Sequence, residues 1–221
     1  MPKLPALAAL ALLTLVGCQP ETPSPPEASS TDVELLAAGF FVHPRGIVRP
    51  YCHGVLTDER FVLTAERCVS RVDPRELSFA VGGDGGYEMP VTERVDSGDG
   101  LVRLRLAAPL ERGVPAFEPG PTPRTGDRLS VIAFTHTAAQ EETPDARRYL
   151  VEVVEVRNDV LVADLRRGEP GCHGDFGAAA YDGGALVAIV SGTEAGGPTH
   201  PTSEVCRTRL LLTPLATANV R

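Results

Sequence analysis

Residues 52–68 read CHGVLTDERFVLTAERC. The run contains a short apolar segment at 55–57, a charged turn at 58–60 and a second apolar segment at 61–64. Short apolar segments joined by a tight polar turn are typical of a β-hairpin. The sequence therefore predicts two antiparallel strands here, with a cysteine at either end.

A second stretch, residues 170–192, reads PGCHGDFGAAAYDGGALVAIVSG. A Gly-rich loop is followed by an apolar segment at 178–181, an Asp-Gly-Gly turn at 182–184 and another apolar segment at 185–191. Glycine lets the backbone adopt conformations that side chains forbid, so the loop can bend tightly. We expect a second β-hairpin, with this loop leading into it.

The remaining apolar runs are also short, and the chain contains 20 prolines and 22 glycines, which favours strands and turns over long helices. Further strands are predicted at 35–42, 77–81, 87–95, 101–106, 128–136, 149–157, 160–165 and 207–212. A Pro/Gly-rich connector at 113–126 divides them into two sets. About six strands on each side predict two packed antiparallel β-barrels, although a single β-sandwich also fits the pattern. Thr213 and Pro214 predict the start of a short C-terminal helix.

The N-terminus has the features of an export signal. Residues 1–17 combine Lys3 with an apolar run that is too short to span a membrane with confidence. The run ends in LVGC at 15–18, which resembles the bacterial lipobox, and this resemblance implies lipidation of Cys18. Gln19 is compatible with sorting to the outer membrane, by resemblance to enteric lipoproteins. An ordinary signal peptide that contains a cysteine is the alternative.

The segment after Cys18 agrees with an anchored, exported protein. Residues 18–31 form a tether rich in Pro, Ser, Glu and Thr, and the folded domain is expected at 32–221. The chain has five cysteines, so lipidation of Cys18 leaves four for two disulfides in an oxidising compartment. Three connectivities are open from the sequence alone.

Charge and spacing argue against two classes of ligand. The chain carries 21 basic and 29 acidic residues, a net charge of −8, and this balance does not suggest a nucleic-acid ligand, which requires a basic face. His53 and His173 each follow a cysteine, but no Cys-x-x-Cys or His-x-x-x-His spacing accompanies them. No metal and no cofactor is expected.

Two stretches carry a resemblance to the trypsin-like serine proteases. Residues 52–68 resemble the family run CGGxLIxxxWVLTAAHC, and residues 172–177 resemble its nucleophile segment CxGDSGG. The resemblance covers about 35–212 and implies the two-barrel fold, with barrel one at about 32–117 and barrel two at about 118–221. It also implies the disulfides Cys52–Cys68 and Cys172–Cys206.

The same resemblance places the three catalytic positions on residues that cannot perform the chemistry. The serine position is Phe176, which has no nucleophilic atom, and the histidine position is Arg67, which stays protonated and cannot act as a base. The aspartate position falls on Gly100. Asp99 lies one residue early, where strand alternation would turn it to the opposite face; if it reached the site, it would form an ion pair with Arg67.

A remnant of the nucleophile loop persists in Gly174 and Asp175. The resemblance implies that the Gly174 amide would line an oxyanion hole. It also implies that Asp175 would normally pair with an N-terminus released by cleavage. Asp175 must therefore find another cation, and Arg67 is one candidate.

The sequence thus predicts an inactive protease homologue, lipid-anchored at the bacterial cell envelope, that binds or scaffolds an unknown protein or peptide partner. One alternative is a hydrolase whose nucleophile has moved, for which Ser70, Ser191 and Ser203 are the serines in or near the relevant segments. None of them sits in a strained Gly-flanked turn with a base at known spacing. The other alternative is a structural envelope domain that retained the fold only for its stability.

Overall fold

The computed structural model describes residues 30–42, 52–81, 87–110, 117, 119–134, 146–165, 171–172, 175–194, 206–207 and 209–215. It contains one short helix, α1 (Ser30–Ala37), and two single 3₁₀ turns, Glu66–Cys68 and Pro74–Glu76. The strands are β1 (Ala38–Val42), β2 (His53–Leu56), β3 (Phe61–Ala65), β4 (Ser78–Val81), β5 (Tyr87–Gly98), β6 (Leu101–Leu106), β7 (Arg128–Phe134), β8 (Ala146–Arg157), β9 (Val160–Leu165), β10 (Gly171–Cys172), β11 (Ala179–Asp182), β12 (Ala185–Thr193), β13 (Cys206–Arg207) and β14 (Arg209–Pro214).

The first six strands close into one antiparallel barrel in the order β1-β2-β3-β6-β5-β4. Its interior is filled by alternate side chains from each strand, as the two-residue period of a strand dictates. Phe41 and Phe79 pack there with ring centroids 5.1 Å apart. Gly39 is required beside them, because a Cβ at that position would lie 2.3 Å from the Ala80 carbonyl oxygen.

A second closed barrel has the order β11-β12-β14-β9-β8-β7, and β10 and β13 form a separate two-stranded ribbon. On β8 the alternation is clear: Tyr149, Val151 and Val153 are buried, whereas Leu150 is exposed. Closure of a sheet removes its unpaired edges. The prediction of two six-stranded antiparallel barrels is confirmed, and the single β-sandwich is wrong.

His53 joins the two barrels from the inside. Its side chain is buried, and its Nε2 accepts a hydrogen bond of 2.8 Å from the backbone N–H of Phe134, on whose ring it also stacks. The His53 backbone N–H donates to the Phe176 carbonyl at 2.7 Å, and the Thr64 hydroxyl donates to the His53 carbonyl at 2.7 Å. His53 is therefore a residue of the core between the barrels.

Two predicted boundaries were wrong. The strand expected from residue 35 begins only at Ala38, because the preceding residues form α1. Buried Glu34 on this helix pairs with Arg148 of β8 at 2.6 Å, which attaches the helix to the second barrel. Pro214 ends β14 opposite Ala188 and does not begin a helix, and residues 216–221 lie outside the described part of the chain.

Within the described ranges, the structure contains no helix with the length and apolar character needed to cross a membrane.

Candidate functional site

A cleft of about 710 Å³ opens where the two barrels meet. Residues of barrel one and barrel two both line it, and the structure brings Arg67, Gly100 and Phe176 together on its walls. The other lining residues are Cys52, Ala65, Glu66, Ser70, Arg71, Asp99, Ser191 and Thr213. The three positions singled out in the sequence thus share one site.

Phe176 lies in this cleft under a cation. The Arg67 guanidinium carbon is 3.7 Å from the centroid of the Phe176 ring, and Phe176 is only 7% exposed. A guanidinium over an aromatic face at this distance is a cation–π contact. Gly177 completes the turn with φ +85°, and a Cβ there would lie 1.9 Å from the His53 carbonyl oxygen, so only glycine fits. The loop is therefore held tightly against barrel one.

Arg67 is positioned by a cross-linked turn. It lies in the 3₁₀ turn Glu66–Cys68, which directly follows β3. The expected disulfide Cys52–Cys68 is present, with the two Cα atoms 5.8 Å apart. This disulfide ties the turn to the residue before β2. It therefore fixes the position of the backbone from which the Arg67 side chain extends over the cleft.

A tight hairpin turn occupies the predicted aspartate position. Asp99 and Gly100 connect β5 to β6 with φ angles of +53° and +76°, as a two-residue type I′ turn requires. The Gly100 carbonyl accepts a hydrogen bond of 2.7 Å from the Glu66 N–H. The sequence argument that Asp99 faces away was wrong, because strand alternation does not apply inside a turn, and Asp99 lines the same cleft as Gly100. Within the described residues, Asp99 forms no ion pair with Arg67.

Asp175 is fully buried and pairs with Arg147. The Arg147 Nη2 lies 2.6 Å and 2.7 Å from the two carboxylate oxygens, and the Tyr149 hydroxyl donates at 3.1 Å. Arg67, one candidate for this role, is not the partner, because it covers the Phe176 ring on the cleft side whereas Asp175 pairs with Arg147 of β8. A buried carboxylate requires such a partner, since isolated charge is very unfavourable in the interior.

Sequence reasoning missed Arg147, although the sequence held a usable signal. Arg147 precedes Tyr149, Val151 and Val153 by even steps, so all four side chains share the inward face of β8. An arginine at an inward position of a barrel strand predicts a buried acid opposite it.

For the remaining predicted site residues, the structure describes only the backbone or nothing at all. Cys172 and Cys206 are direct partners across β10 and β13, but their side chains are not described, and the bridge stays a prediction. Cys18, His173 and Gly174 lie outside the described residues, so lipidation and the oxyanion remnant also stay predictions.

Two of the candidate serines line the cleft, and no histidine is among the described residues that line it with them. The Ser70 hydroxyl donates to the Arg67 carbonyl at 3.3 Å, and the Ser191 hydroxyl donates to the Leu211 carbonyl at 3.3 Å. Ser203 lies outside the described part of the chain. In the ranges that the structure describes, no group of three His, Cys, Asp or Glu side chains is arranged for a metal ion.

Solved structures with similar folds belong to trypsin-like proteins. Kallikrein-related peptidase 10 in complex with Zn²⁺ superposes with a TM-score of 0.63 and 20% identity, over 86% of this chain and 94% of that one. A mutant of human heparin binding protein gives 0.67 and 17%, over 83% and 88%. The scabies mite inactivated protease paralogue S-D1 gives 0.61 and 17%, over 82% and 88%. At these identities the likeness concerns the fold.

No curated protein matches the sequence. The Trypsin family model, however, matches residues 36–207, which is most of the chain and includes the first barrel and every strand of the second barrel except β14. The match contains the 52–68 hairpin, the loop at Phe176 and all the cleft residues except Thr213. By sequence and by fold, this chain belongs to the trypsin family.

Proposed function

We propose that this chain is a non-catalytic member of the trypsin family that binds a protein or peptide partner at the bacterial cell envelope. The observation that carries the proposal is the stack of Arg67 on Phe176 at 3.7 Å. The two residues stand where the family places its base and its nucleophile. Here they are engaged with each other in a contact that transfers no proton.

The chemistry of the cleft supports the absence of peptidase activity. Acyl transfer in this family needs a hydroxyl nucleophile, a base with a pKa near neutrality and a carboxylate that orients the base. A phenyl ring supplies no nucleophile, and a guanidinium accepts no proton in the accessible pH range. The third position is the turn residue Gly100, which has no side chain to orient a base.

Catalytic loss within this fold has precedent among the similar structures. Two inactivated protease paralogues from the scabies mite, S-D1 and S-I1, superpose on this chain with TM-scores of 0.61 and 0.65. The names of those proteins state their inactivation. The parallel supports a trypsin-like domain that serves a purpose other than cleavage.

A fluorophosphonate probe and a broad mixture of peptide substrates test the loss of catalysis on the full chain purified in detergent. We expect neither labelling nor cleavage. The matched controls are Ser70→Ala and Ser191→Ala, which remove the two hydroxyls that line the cleft. Labelling that either substitution abolishes would overturn the proposal and identify a relocated nucleophile.

The proposed location rests on the export signal at 1–17, the LVGC motif ending at Cys18 and the tether after it. In a bacterial host fed an alkyne-tagged fatty acid, the wild-type chain should become labelled and fractionate with membranes. Cys18→Ala should abolish both results. Labelling that survives this substitution would refute the lipid anchor.

A further inference from the structure

Most described arginines of this acidic chain already have a carboxylate partner. The pairs are Arg94–Glu66, Arg103–Asp58, Arg105–Glu93, Arg128–Glu152, Arg147–Asp175, Arg148–Glu34, Arg157 with Glu155 and Glu194, and Arg209 with Asp164 and Glu194. Arg67 and Arg71 depart from this pattern. Both are exposed, both line the cleft, and neither has an ion-pair partner among the described residues.

Arg67 and Arg71 come from one short segment. Arg67 lies in the 3₁₀ turn Glu66–Cys68, and a second turn comes next, in which the Val72 N–H donates to the Val69 carbonyl at 3.4 Å. Both side chains line the same cleft, so the segment brings two positive charges to it.

The stack leaves the hydrogen-bonding edge of Arg67 available. The Phe176 ring lies 3.7 Å from the guanidinium carbon and contacts the cation through its face. The five N–H donors of a guanidinium lie in its plane and form a rigid fork that matches a carboxylate. Holding the guanidinium in place in advance reduces the entropy lost when a ligand binds.

The acids on the cleft walls do not neutralise this pair. Glu66 is bound by Arg94 at 2.8 Å. Asp99 lines the cleft and is exposed, yet it pairs with neither arginine in the described part of the chain. Among the described residues that line the cleft, two guanidinium groups and one carboxylate thus form no ion pair.

We propose that Arg67 and Arg71 form a carboxylate-binding site, and that the ligand is a peptide segment whose carboxylate they hold. This inference rests on the proposed binding function and names the ligand chemistry of the same cleft. A volume of about 710 Å³ suits a segment of a few residues. A dense polyanion such as a sulfated glycan is disfavoured, because Asp99 and the net charge of −8 would repel it.

The test uses the full chain in detergent and fluorescence anisotropy with pools of fluorescein-labelled pentapeptides. One pool has free C-termini, a second has amidated C-termini and internal Glu, and a third has amidated C-termini and internal Gln. Binding of the first pool alone identifies a chain terminus as the source of the carboxylate, and binding of the second identifies an acidic side chain. The third pool should not bind.

Arg71→Gln is the informative variant, because the Arg71 side chain forms no hydrogen bond or ion pair in the described part of the chain. It should weaken binding about tenfold or more, as expected for the loss of a hydrogen bond to a charged group. Arg67→Gln should do the same. Arg75→Gln is the matched control, since Arg75 is exposed and without an ion pair in the described residues but lies outside the cleft, and it should leave affinity unchanged.

Three results would overturn the carboxylate site. They are binding of the amidated Gln pool as tightly as the pools that carry a carboxylate, an unchanged affinity in Arg71→Gln, or no binding of any peptide pool up to about 1 mM, with or without binding of a heparin oligosaccharide. The first two leave the proposed binding function intact, because peptide is still bound. Cleavage of the peptides would instead refute the proposed function itself.

Discussion

The buried pair of Arg147 and Asp175 gives the sharpest test of how the loop at Phe176 is held. Asp175 is completely buried, and the side chain of Arg147 is 27% exposed. Replacement of Arg147 by Met keeps most of the aliphatic bulk but leaves the carboxylate without its cation. Removing one partner of a buried ion pair typically costs about 3–5 kcal/mol. We expect a loss near 3 kcal/mol for Arg147→Met, because the partial exposure of Arg147 admits some water.

Urea denaturation followed by circular dichroism measures this loss, since the chain contains no tryptophan to report by fluorescence. Arg105→Met is the control: Arg105 and Glu93 form an exposed pair at 3.5 Å, and its loss should change the free energy of unfolding by less than about 1 kcal/mol. The two variants remove the same kind of side chain from a strand. They differ in the burial of the carboxylate that loses its cation: Asp175 is buried, whereas Glu93 is exposed.

Asp175→Asn combined with Arg147→Met should recover part of the stability, because the stranded negative charge is then gone. The double variant should therefore be more stable than Arg147→Met alone, which is a coupling that a double-mutant cycle measures directly. A loss below about 1 kcal/mol for Arg147→Met, or strictly additive effects in the cycle, would refute the reasoning.

Three further predictions concern the core and the cleft. The Tyr181 hydroxyl is buried and lacks a hydrogen-bond partner among the described residues, so Tyr181→Phe should stabilise the fold by about 1 kcal/mol in urea denaturation at pH 7. Burial raises the pKa of Tyr181, so the unfolded chain ionises first and stability should fall as pH rises above about 10; Tyr181→Phe should weaken this fall. Replacing Cys52 and Cys68 by Ala removes a link across 16 residues and should lower the unfolding free energy by about 3 kcal/mol, measured by urea denaturation under non-reducing conditions. Phe176→Ser should destabilise by about 3 kcal/mol and still cleave no peptide, because Arg67 cannot accept the serine proton; measurable turnover would contradict this.

Local patterns predicted the fold well because strands, turns and the spacing of the disulfide cysteines depend on residues that are close together in the sequence. The bounds of β6 and β9 agree with the runs at 101–106 and 160–165, and the polar turns at 99–100 and 158–159 mark where both strands begin. The first strand was misjudged because an apolar run of eight residues fits either a strand or a helix end. A contact 114 positions away in sequence, between Glu34 and Arg148, decides in favour of the helix.

The residues of the site could be predicted where short sequence motifs align with the family. They could not be predicted where they depend on which distant residues contact each other in the fold. Arg67, Gly100 and Phe176 were placed in one cleft by their motifs. The partner of Asp175 was not, because several arginines satisfy the need for a cation and only the register of β8 selects Arg147. The role of Asp99 failed for a related reason, since a two-residue turn replaced the strand that the argument assumed.

The residues at positions 67, 100 and 176 depend on one another. The Gly100 carbonyl receives the Glu66 N–H at 2.7 Å and so fixes the start of the turn that carries Arg67. Arg67 covers the Phe176 ring, which would otherwise expose more apolar surface in the cleft. A single substitution therefore works against its neighbours: Arg67→His would remove the guanidinium from the ring without supplying a nucleophile, and an aspartate at position 100 would lie in a two-residue turn at a φ of +76°. We therefore expect that a serine nucleophile with its base could be built here only by simultaneous change of the turn, the cation and the ring, whereas the proposed binding function uses the cleft in the form that these contacts stabilise.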